Sequence, residues 1–268
     1  MSRNLSVIGV GNMAKAIIGG IISSDMAVDN IFLYDKYPES CSCFEDNSKF
    51  TVVNSIEDAV RFGDAVLLSV KPQNYPEVLE LVKKADGFQN KLYISIAAGI
   101  SVSSVSEALD GADVIRVLPN LPMTIGKGVS AICKSTTVSA TDFDFVSAMF
   151  TSAGSVVLID EEEMNRIIGV TSSSPAYVFK FIDAICKGAA AQGLDENQLL
   201  DAVCDMVIGS AMLLKGSNNT PSELISRVAS KGGTTEQALS KLDCGGFDTV
   251  IKEAMMACTR RADELGKQ

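Results

Sequence analysis

The chain has 268 residues, of which 47% are hydrophobic and 21% charged, and its formal net charge is −10. These values are typical of a globular protein with room for one domain or two. Nucleic-acid binding through phosphates needs concentrated Lys and Arg, so the acidic balance argues against that class. No apolar run reaches the ~18 residues of a membrane span, and the N-terminus leads directly into a strand, so we expect a cytoplasmic protein without a membrane segment.

The cysteines and histidines restrict the possible chemistry. Seven cysteines are scattered, mostly in apolar segments, and only Cys41 and Cys43 are close together. Their spacing is not that of a zinc site, so we expect neither a metal site nor a disulfide framework. The chain has no histidine, which excludes Ser-His triads and imidazole general acids. Its chemistry must use a cofactor, backbone dipoles, hydroxyls, lysines, carboxylates or water.

The first element is a strand that turns on two glycines into a helix. An apolar run ends at Gly9, and a helical pattern begins at Asn12. In Gly9-x-Gly11-x-x-Ala14, the first glycine permits the turn, the second lets the backbone approach a pyrophosphate, and the alanine allows close packing. The positive end of the helix dipole then faces the phosphates. The placement predicts dinucleotide binding; an ordinary glycine-rich turn is the alternative.

The second strand, Ile31 to Asp35, ends in an acid at the distance expected for a dinucleotide site. In an NAD site this acid would hold the ribose hydroxyls. Lys36 could instead meet a 2′-phosphate, and Tyr37 could lie against adenine. Asp35 favours NAD, and a solvated strand end is the alternative.

Strands and helices alternate up to Asp160 and predict a doubly wound sheet. Three loops follow strands of this sheet. Lys71-Pro72-Gln73 is expected to lie near the cofactor, the small residues Ala97-Ala98-Gly99 would leave room for a flat ring, and Pro119-Asn120-Leu121-Pro122 is expected to form a rigid turn. Further strands are predicted at 50–53, 64–70, 91–96, 113–117, 128–133 and 154–159, and helices from Ser55, at 101–109 and at 141–150. Residues 1–160 are thus expected to form a Rossmann-like dinucleotide-binding domain.

Residues 161–268 are expected to form a helical second domain. Helical segments recur at 161–170, 175–192, 195–216, 220–229, 234–243 and 246–264. The segment from Ala202 to Leu214 is apolar on more than one face, so we expect its burial against a second subunit.

Two helix starts in this half are candidate binding sites. Gly232-Gly233-Thr234-Thr235 precedes a helix and would group free amides and hydroxyls around an anion such as a substrate carboxylate. An ordinary capped helix start explains the pattern equally well. Serines precede Pro175 at another helix start, where their hydroxyls could contact a cofactor carbonyl or a water. The favoured interpretation is a simple helix N-terminus.

Six motifs occur in the order found in pyrroline-5-carboxylate reductases, and the chain resembles that family over its whole length. The motifs are Gly9-x-Gly11-x-Met13-Ala14, Val70-Lys71-Pro72-Gln73, Ile96-Ala97-Ala98-Gly99-Ile100, Arg116-Val117-Leu118-Pro119-Asn120-Leu121-Pro122, Ser174-Pro175-Ala176-Tyr177 and Gly232-Gly233-Thr234-Thr235. The resemblance implies hydride transfer from NADPH or NADH to the C=N bond of Δ1-pyrroline-5-carboxylate, a small cyclic imino acid, which forms L-proline. It also implies a Rossmann domain followed by a helical dimerisation domain, in a homodimer or larger homo-oligomer.

The resemblance also implies roles for individual residues. Gly9, Gly11, Asn12 and Met13 would hold the pyrophosphate, and Asp35 with Lys36 would face the adenosine ribose. The nicotinamide would lie beside Val70, Lys71, Pro72, Ala97, Ala98 and Asn120. The substrate would be bound by Ser230, Gly233, Thr234 and Thr235, and Thr235 would be catalytic, with its hydroxyl near the imine nitrogen.

The chain departs from the family pattern at two places. The family usually has Gly-Ser-Gly-Pro where Ser172-Ser173-Ser174-Pro175 stands here, and Ser-Pro-Gly-Gly where this chain has Lys231 after Ser230. These departures leave open another imine reductase or a catalytically weak, NAD(P)-binding regulatory protein. A β-hydroxyacid dehydrogenase of the same architecture is less well supported, because Ser173 stands where that family has its catalytic lysine.

Overall fold

The computed structural model describes residues 3–44 and 46–266, without the side chains of residues 196 and 197. The described chain forms two compact units, one made of residues 3–173 together with 255–266 and the other of residues 174–254. The predicted domain division at residue 160 lies before the boundary between these units. The outermost residues of the two predicted domains, 1–2 and 267–268, lie outside the described residues. That division stays a prediction.

The first unit is built on an eight-stranded sheet with the order β3-β2-β1-β4-β5-β6-β7-β8. The first six strands are parallel, whereas β7 pairs antiparallel with β6 and parallel with β8. The strands are β1 (Arg3–Ile8), β2 (Val28–Tyr34), β3 (Phe50–Val52), β4 (Ala65–Leu68), β5 (Leu92–Ser95), β6 (Asp113–Leu118), β7 (Gly128–Lys134) and β8 (Gly154–Leu158).

Helices cover both faces of this sheet, because alternate residues of its buried strands point to opposite sides. In β4, Val66 and Leu68 join the apolar cluster around α2, α3 and α4, while Ala65 and Leu67 join that around α1 and α5. The helices are α1 (Asn12–Ile22), α2 (Ile56–Phe62), α3 (Tyr75–Val82), α4 (Val102–Ala108), α5 (Ala140–Thr151) and α6 (Met164–Ile167).

The doubly wound sheet predicted from the sequence is confirmed, and the structure corrects three local expectations. Sequence reasoning missed α3 and the reversed direction of β7. The helix expected at 161–170 is instead a 3₁₀ turn at Glu161–Glu163, the short α6, and a π-helical turn at Ile168–Ser172. Gly169, in the π turn, allows close packing, since a Cβ there would lie 3.1 Å from Cα of Met255. The chain is therefore packed tightly at the π turn.

The second unit is helical. It contains α7 (Ser174–Ala190), α8 (Glu196–Gly216), α9 (Pro221–Val228), α10 (Thr234–Cys244) and the beginning of α11 (Phe247–Leu265), and α7 packs against α8. The start of α9 has a complete capping box, in which the Thr220 hydroxyl accepts from the amide of Glu223 while the Glu223 carboxylate accepts from that of Thr220. Such reciprocal bonds explain why a short helix begins there. Among the described residues, no helix has the length and apolar character needed to cross a membrane.

Candidate functional site

The sheet order brings five predicted site residues to one edge of the first unit. Asp35 follows β2, Gly9 follows β1, Val70 comes after β4, Ala97 after β5 and Asn120 after β6. These five strands are parallel neighbours in the order β2-β1-β4-β5-β6, so their carboxyl ends share an edge. In open α/β sheets a ligand binds beyond this edge, where the direction of strand addition reverses. Here the reversal falls at β1 and β4.

Gly9 makes the tight turn at the end of β1. Its φ is +93°, a conformation that a side chain disfavours, and its amide donates to the carbonyl of Tyr34 at 2.8 Å. A Cβ at Gly9 would lie 2.7 Å from the carbonyl oxygen of Ser69 and 2.9 Å from Cγ1 of Val70. The glycine therefore allows the end of β1 to pack directly against the end of β4.

Gly11 differs from Gly9 because its surroundings are open. It is the N-cap of α1, no side chain in the described part of the chain caps this helix, and a Cβ at Gly11 would meet nothing within 4 Å. The first amides of a helix lack intrahelical acceptors, and the helix dipole is positive at this end. Open space in front of such amides fits a pyrophosphate.

Asp35 binds the glycine-rich turn itself. Its Oδ2 accepts from the amide of Val10 at 2.7 Å, and its Oδ1 accepts from the amide of Tyr37 at 2.9 Å. A carboxylate offers about four acceptor positions, so these bonds leave capacity for ribose hydroxyls. Lys36 and Tyr37 are exposed beside it. Asp35 thus stabilises the predicted pyrophosphate loop whichever cofactor occupies it.

Tyr75 joins the ends of β4 and β5 and was not singled out from the sequence. Its hydroxyl donates to the carbonyl of Leu68 at 3.0 Å and lies 2.9 Å from Oγ of Ser95. Burial raises the pKa of Tyr75 well above its ordinary value, so the hydroxyl stays protonated and remains a donor. The apolar periodicity of α3, with Tyr75 at its buried start, was the available signal.

The residues around the next two strand ends differ in exposure. Lys71 is exposed and Pro72 partly buried where β4 leads into a 3₁₀ turn, whereas Ala97 is buried and Ala98 partly buried after β5. Small side chains at the end of β5 leave room beyond the sheet edge. Their predicted contact with nicotinamide stays a prediction.

Asn120 uses both ends of its side-chain amide to hold the protein together. Its Nδ2 donates to the carbonyl of Thr171 at 3.0 Å, and its Oδ1 accepts from the amide of Val129 at 2.8 Å. The side chain is almost fully buried. Asn120 therefore ties the end of β6 to β7 and to the π-helical turn, in addition to any contact with a cofactor.

A buried polar network lies beneath this edge and was also missed. Arg116 is 2% exposed; its Nη1 donates to Glu161 at 2.8 Å and its Nη2 to Asn165 at 2.7 Å. Glu161 also accepts from the Cys133 thiol; burial, together with this carboxylate, raises the pKa of Cys133, which keeps the thiol protonated. A buried charge requires such partners, so an arginine inside a strand was the signal.

The second unit holds the other predicted site, at the start of α10. Gly233 is the N-cap and no side chain within the described residues caps it; its own amide donates to the carbonyl of Ser230 at 2.9 Å. Glu236 accepts from the amide of Gly232 at 2.7 Å and so stabilises the preceding loop. Thr235 is partly buried, while Thr234 and Lys231 are exposed. The amides that open α10 remain available to an anion.

Comparison with known proteins identifies the family. A family model described as pyrroline-5-carboxylate reductase dimerisation matches residues 161–265, and one described as NADP oxidoreductase coenzyme F420-dependent matches residues 4–99. The pyrroline-5-carboxylate reductase of Escherichia coli is 31% identical over 270 residues and covers 100% of both chains. That of Synechocystis is 32% identical over 269 residues, again with 100% of both chains. The chain belongs to the pyrroline-5-carboxylate reductase family.

Solved structures support this membership. The Plasmodium falciparum pyrroline carboxylate reductase with NADP bound superposes with a TM-score of 0.88 at 26% identity, covering 98% of each chain. The Coxiella burnetii pyrroline-5-carboxylate reductase gives 0.89 at 26% identity over 100% of each. The resemblance inferred from the six motifs and the Rossmann-plus-helical fold class are confirmed.

Proposed function

We propose that the chain reduces the C=N bond of Δ1-pyrroline-5-carboxylate with NADPH or NADH to give L-proline. The observation that carries the proposal is the row of family motifs at the carboxyl edge of β1-β4-β5-β6, in a chain that belongs to the reductase family. The open amide cradle at Gly11 fits the pyrophosphate of such a cofactor. We further propose that the enzyme works in the cytoplasm.

The test is an assay with purified protein, racemic pyrroline-5-carboxylate and either reduced cofactor. We expect oxidation of the cofactor to depend on the imino acid, and L-proline to appear in equal amount by chiral chromatography. No oxidation under conditions in which a known reductase turns over would contradict the proposal. Cofactor binding without turnover of any cyclic imine would favour the catalytically weak regulatory alternative instead.

The protein's own contribution is to bind and orient. The reduced nicotinamide supplies the hydride when the cofactor is bound. Gly9, Gly11, Asn12 and Met13 would hold the pyrophosphate at the start of α1, and the edge beyond β4 and β5 would receive the ring. Because a protonated imine is already electrophilic, a chain without histidine needs no imidazole acid. Fixing the reactants in position is the main requirement.

The loop before α10 is proposed to bind the substrate. Ser230, Gly233 and Thr234 would surround the carboxylate, and the Thr235 hydroxyl would hydrogen-bond at the imine nitrogen, with water completing proton delivery. The free amides at the start of α10 support this assignment, since they favour an anion. Glu236, in the first turn of α10, accepts from the amide of Gly232 and so stabilises the loop even though Lys231 replaces the usual proline.

We propose that the helical unit forms a homodimer or a larger homo-oligomer. Large apolar side chains on its helices are exposed in the single chain, among them Phe179, Phe181, Ile208, Met212 and Leu213. An apolar surface of this kind normally lies in an interface. The dimerisation model matched over residues 161–265 supports the same conclusion.

Lys36 is expected to distinguish the two cofactors. Asp35 supports the loop through Val10 and Tyr37, so Asp35→Ala should weaken NADH and NADPH together. Lys36→Ala should raise the Kd of NADPH about tenfold by removing a cation from the 2′-phosphate, and leave that of NADH unchanged. Fluorescence titration with both cofactors checks this, with Lys36→Arg as the charge-preserving control. Equal effects of Lys36→Ala on both cofactors would contradict the role given to Lys36.

A further inference from the structure

The end of α11 packs against residues of the sheet unit that are distant from it in the sequence. Ala262 is 3% exposed and belongs to the apolar cluster that also holds Val102, Val105 and Leu118. The last turns of α11 therefore belong to the core beneath the carboxyl edge, next to the start of α4. Chain order alone does not suggest this placement.

The turn after β5 touches this helix end backbone to backbone. Gly99 has a φ of +82°, and a Cβ there would lie 2.7 Å from the carbonyl oxygen of Ala262 and 3.0 Å from Cβ of Leu265. Reciprocally, a Cβ at Gly266 would overlap the carbonyl oxygen of Gly99. The turn that carries Ala97 and Ala98 is thus shaped by direct contact with the end of α11.

A chain of hydrogen bonds connects the same two elements. Asp263 accepts from Nδ2 of Asn165 at 2.8 Å, and Oδ1 of Asn165 accepts from Arg116. Arg116 in turn donates to Glu161, which accepts from the amide of Val102 at 3.2 Å. Val102 begins α4 directly after the turn. The turn is therefore held both by packing against α11 and through this polar chain.

We propose that the end of α11 is a positioning element for the nicotinamide half of the cofactor, with Gly266 and Asp263 acting through the turn at Ala97 and Ala98. The inference rests on the proposed function, which puts the nicotinamide beside this turn. Neither Gly266 nor Asp263 touches the cofactor in this proposal. The pyrophosphate cradle at Gly11 lies on another turn, so the adenosine half is not affected.

Two cofactor probes separate this role from general stability. NADPH is compared with 2′-phospho-ADP-ribose, which lacks only the nicotinamide ring, by calorimetric titration. Gly266→Ala and Asp263→Ala are expected to raise the Kd of NADPH about tenfold, because the ring loses a preformed surface, and to leave the Kd of the ringless probe unchanged. Asp263→Asn keeps an acceptor oxygen for Asn165 and should restore the wild-type value.

The matched control is Glu264→Ala, on the same helix turn, where Glu264 forms an exposed ion pair with Arg261. It should leave both affinities unchanged. The proposal would be overturned if the variants lost affinity for NADPH and for the ringless probe to the same extent. It would also be overturned if Gly266→Ala and Asp263→Ala both kept the wild-type affinity for NADPH. If the wild-type chain bound the ringless probe as tightly as NADPH, the turn would add nothing to the affinity for the nicotinamide ring, and the inference would be overturned.

Discussion

Gly11→Val is expected to abolish cofactor binding and leave the fold intact. A Cβ at Gly11 meets nothing within 4 Å, so a valine is accommodated by the protein but fills the space in front of the α1 amides. We expect the Kd of NADPH to rise at least about 100-fold, which corresponds to about 2.7 kcal/mol of lost binding free energy. Fluorescence titration measures the affinity, and thermal unfolding should give a midpoint close to that of the wild type.

Gly9→Ala is the matched comparison within the same motif. A non-glycine residue in the left-handed region costs roughly 1–2 kcal/mol, and here the new methyl group would also approach the carbonyl of Ser69 at 2.7 Å. This variant should therefore lower the free energy of unfolding as well as the affinity. Equal unfolding midpoints for Gly9→Ala and Gly11→Val, or retained NADPH binding in Gly11→Val, would contradict the separate roles given to the two glycines.

Thr235→Ala is expected to reduce kcat by roughly tenfold to a hundredfold, with little change in cofactor affinity. The physical reason is the loss of the hydroxyl that we propose lies at the imine nitrogen, whereas the pyrophosphate is assigned to the turn at Gly11. Steady-state kinetics with pyrroline-5-carboxylate give kcat, and titration with NADPH gives the affinity.

Thr235→Ser and Thr234→Ala are the controls for this effect. Serine keeps the hydroxyl and should retain most of the activity, whereas Thr234→Ala removes the neighbouring hydroxyl and should act mainly on the KM of the substrate. Full activity in Thr235→Ala would show that the Thr235 hydroxyl has no part in the reaction. A matching fall in NADPH affinity would show that it acts on the cofactor instead.

The sequence predicted much of the sheet because local signals and tertiary requirements agree there. The strand at Ala65–Leu68 is buried on both faces and is a continuous apolar run. A helix was predicted from Ser55, and Ser55 caps α2 by accepting from the amide of Asp58. Where a local pattern is also what the core requires, periodicity is a sufficient guide.

The parts that were missed depend on distant contacts. The π turn at Ile168–Ser172 packs against α11 at Gly169, and no local pattern records such a contact. The direction of β7 follows from its pairing with β6, since an apolar strand carries no sign of its direction. Likewise, Asp35 and Asn120 were predicted as site residues, but their bonds to backbone groups of the protein required the three-dimensional structure.

The return of α11 to the sheet unit affects how the protein is made. Domains generally fold as units during synthesis, the N-terminal one first. Here the first unit includes residues that follow the second unit along the chain, so its core lacks Ala262 and the turn after β5 lacks its support until α11 has been synthesised. A nascent chain would therefore carry an unfinished cofactor domain while its helical unit emerges. Competence to bind cofactor would then follow the synthesis of α11 and not that of the sheet alone.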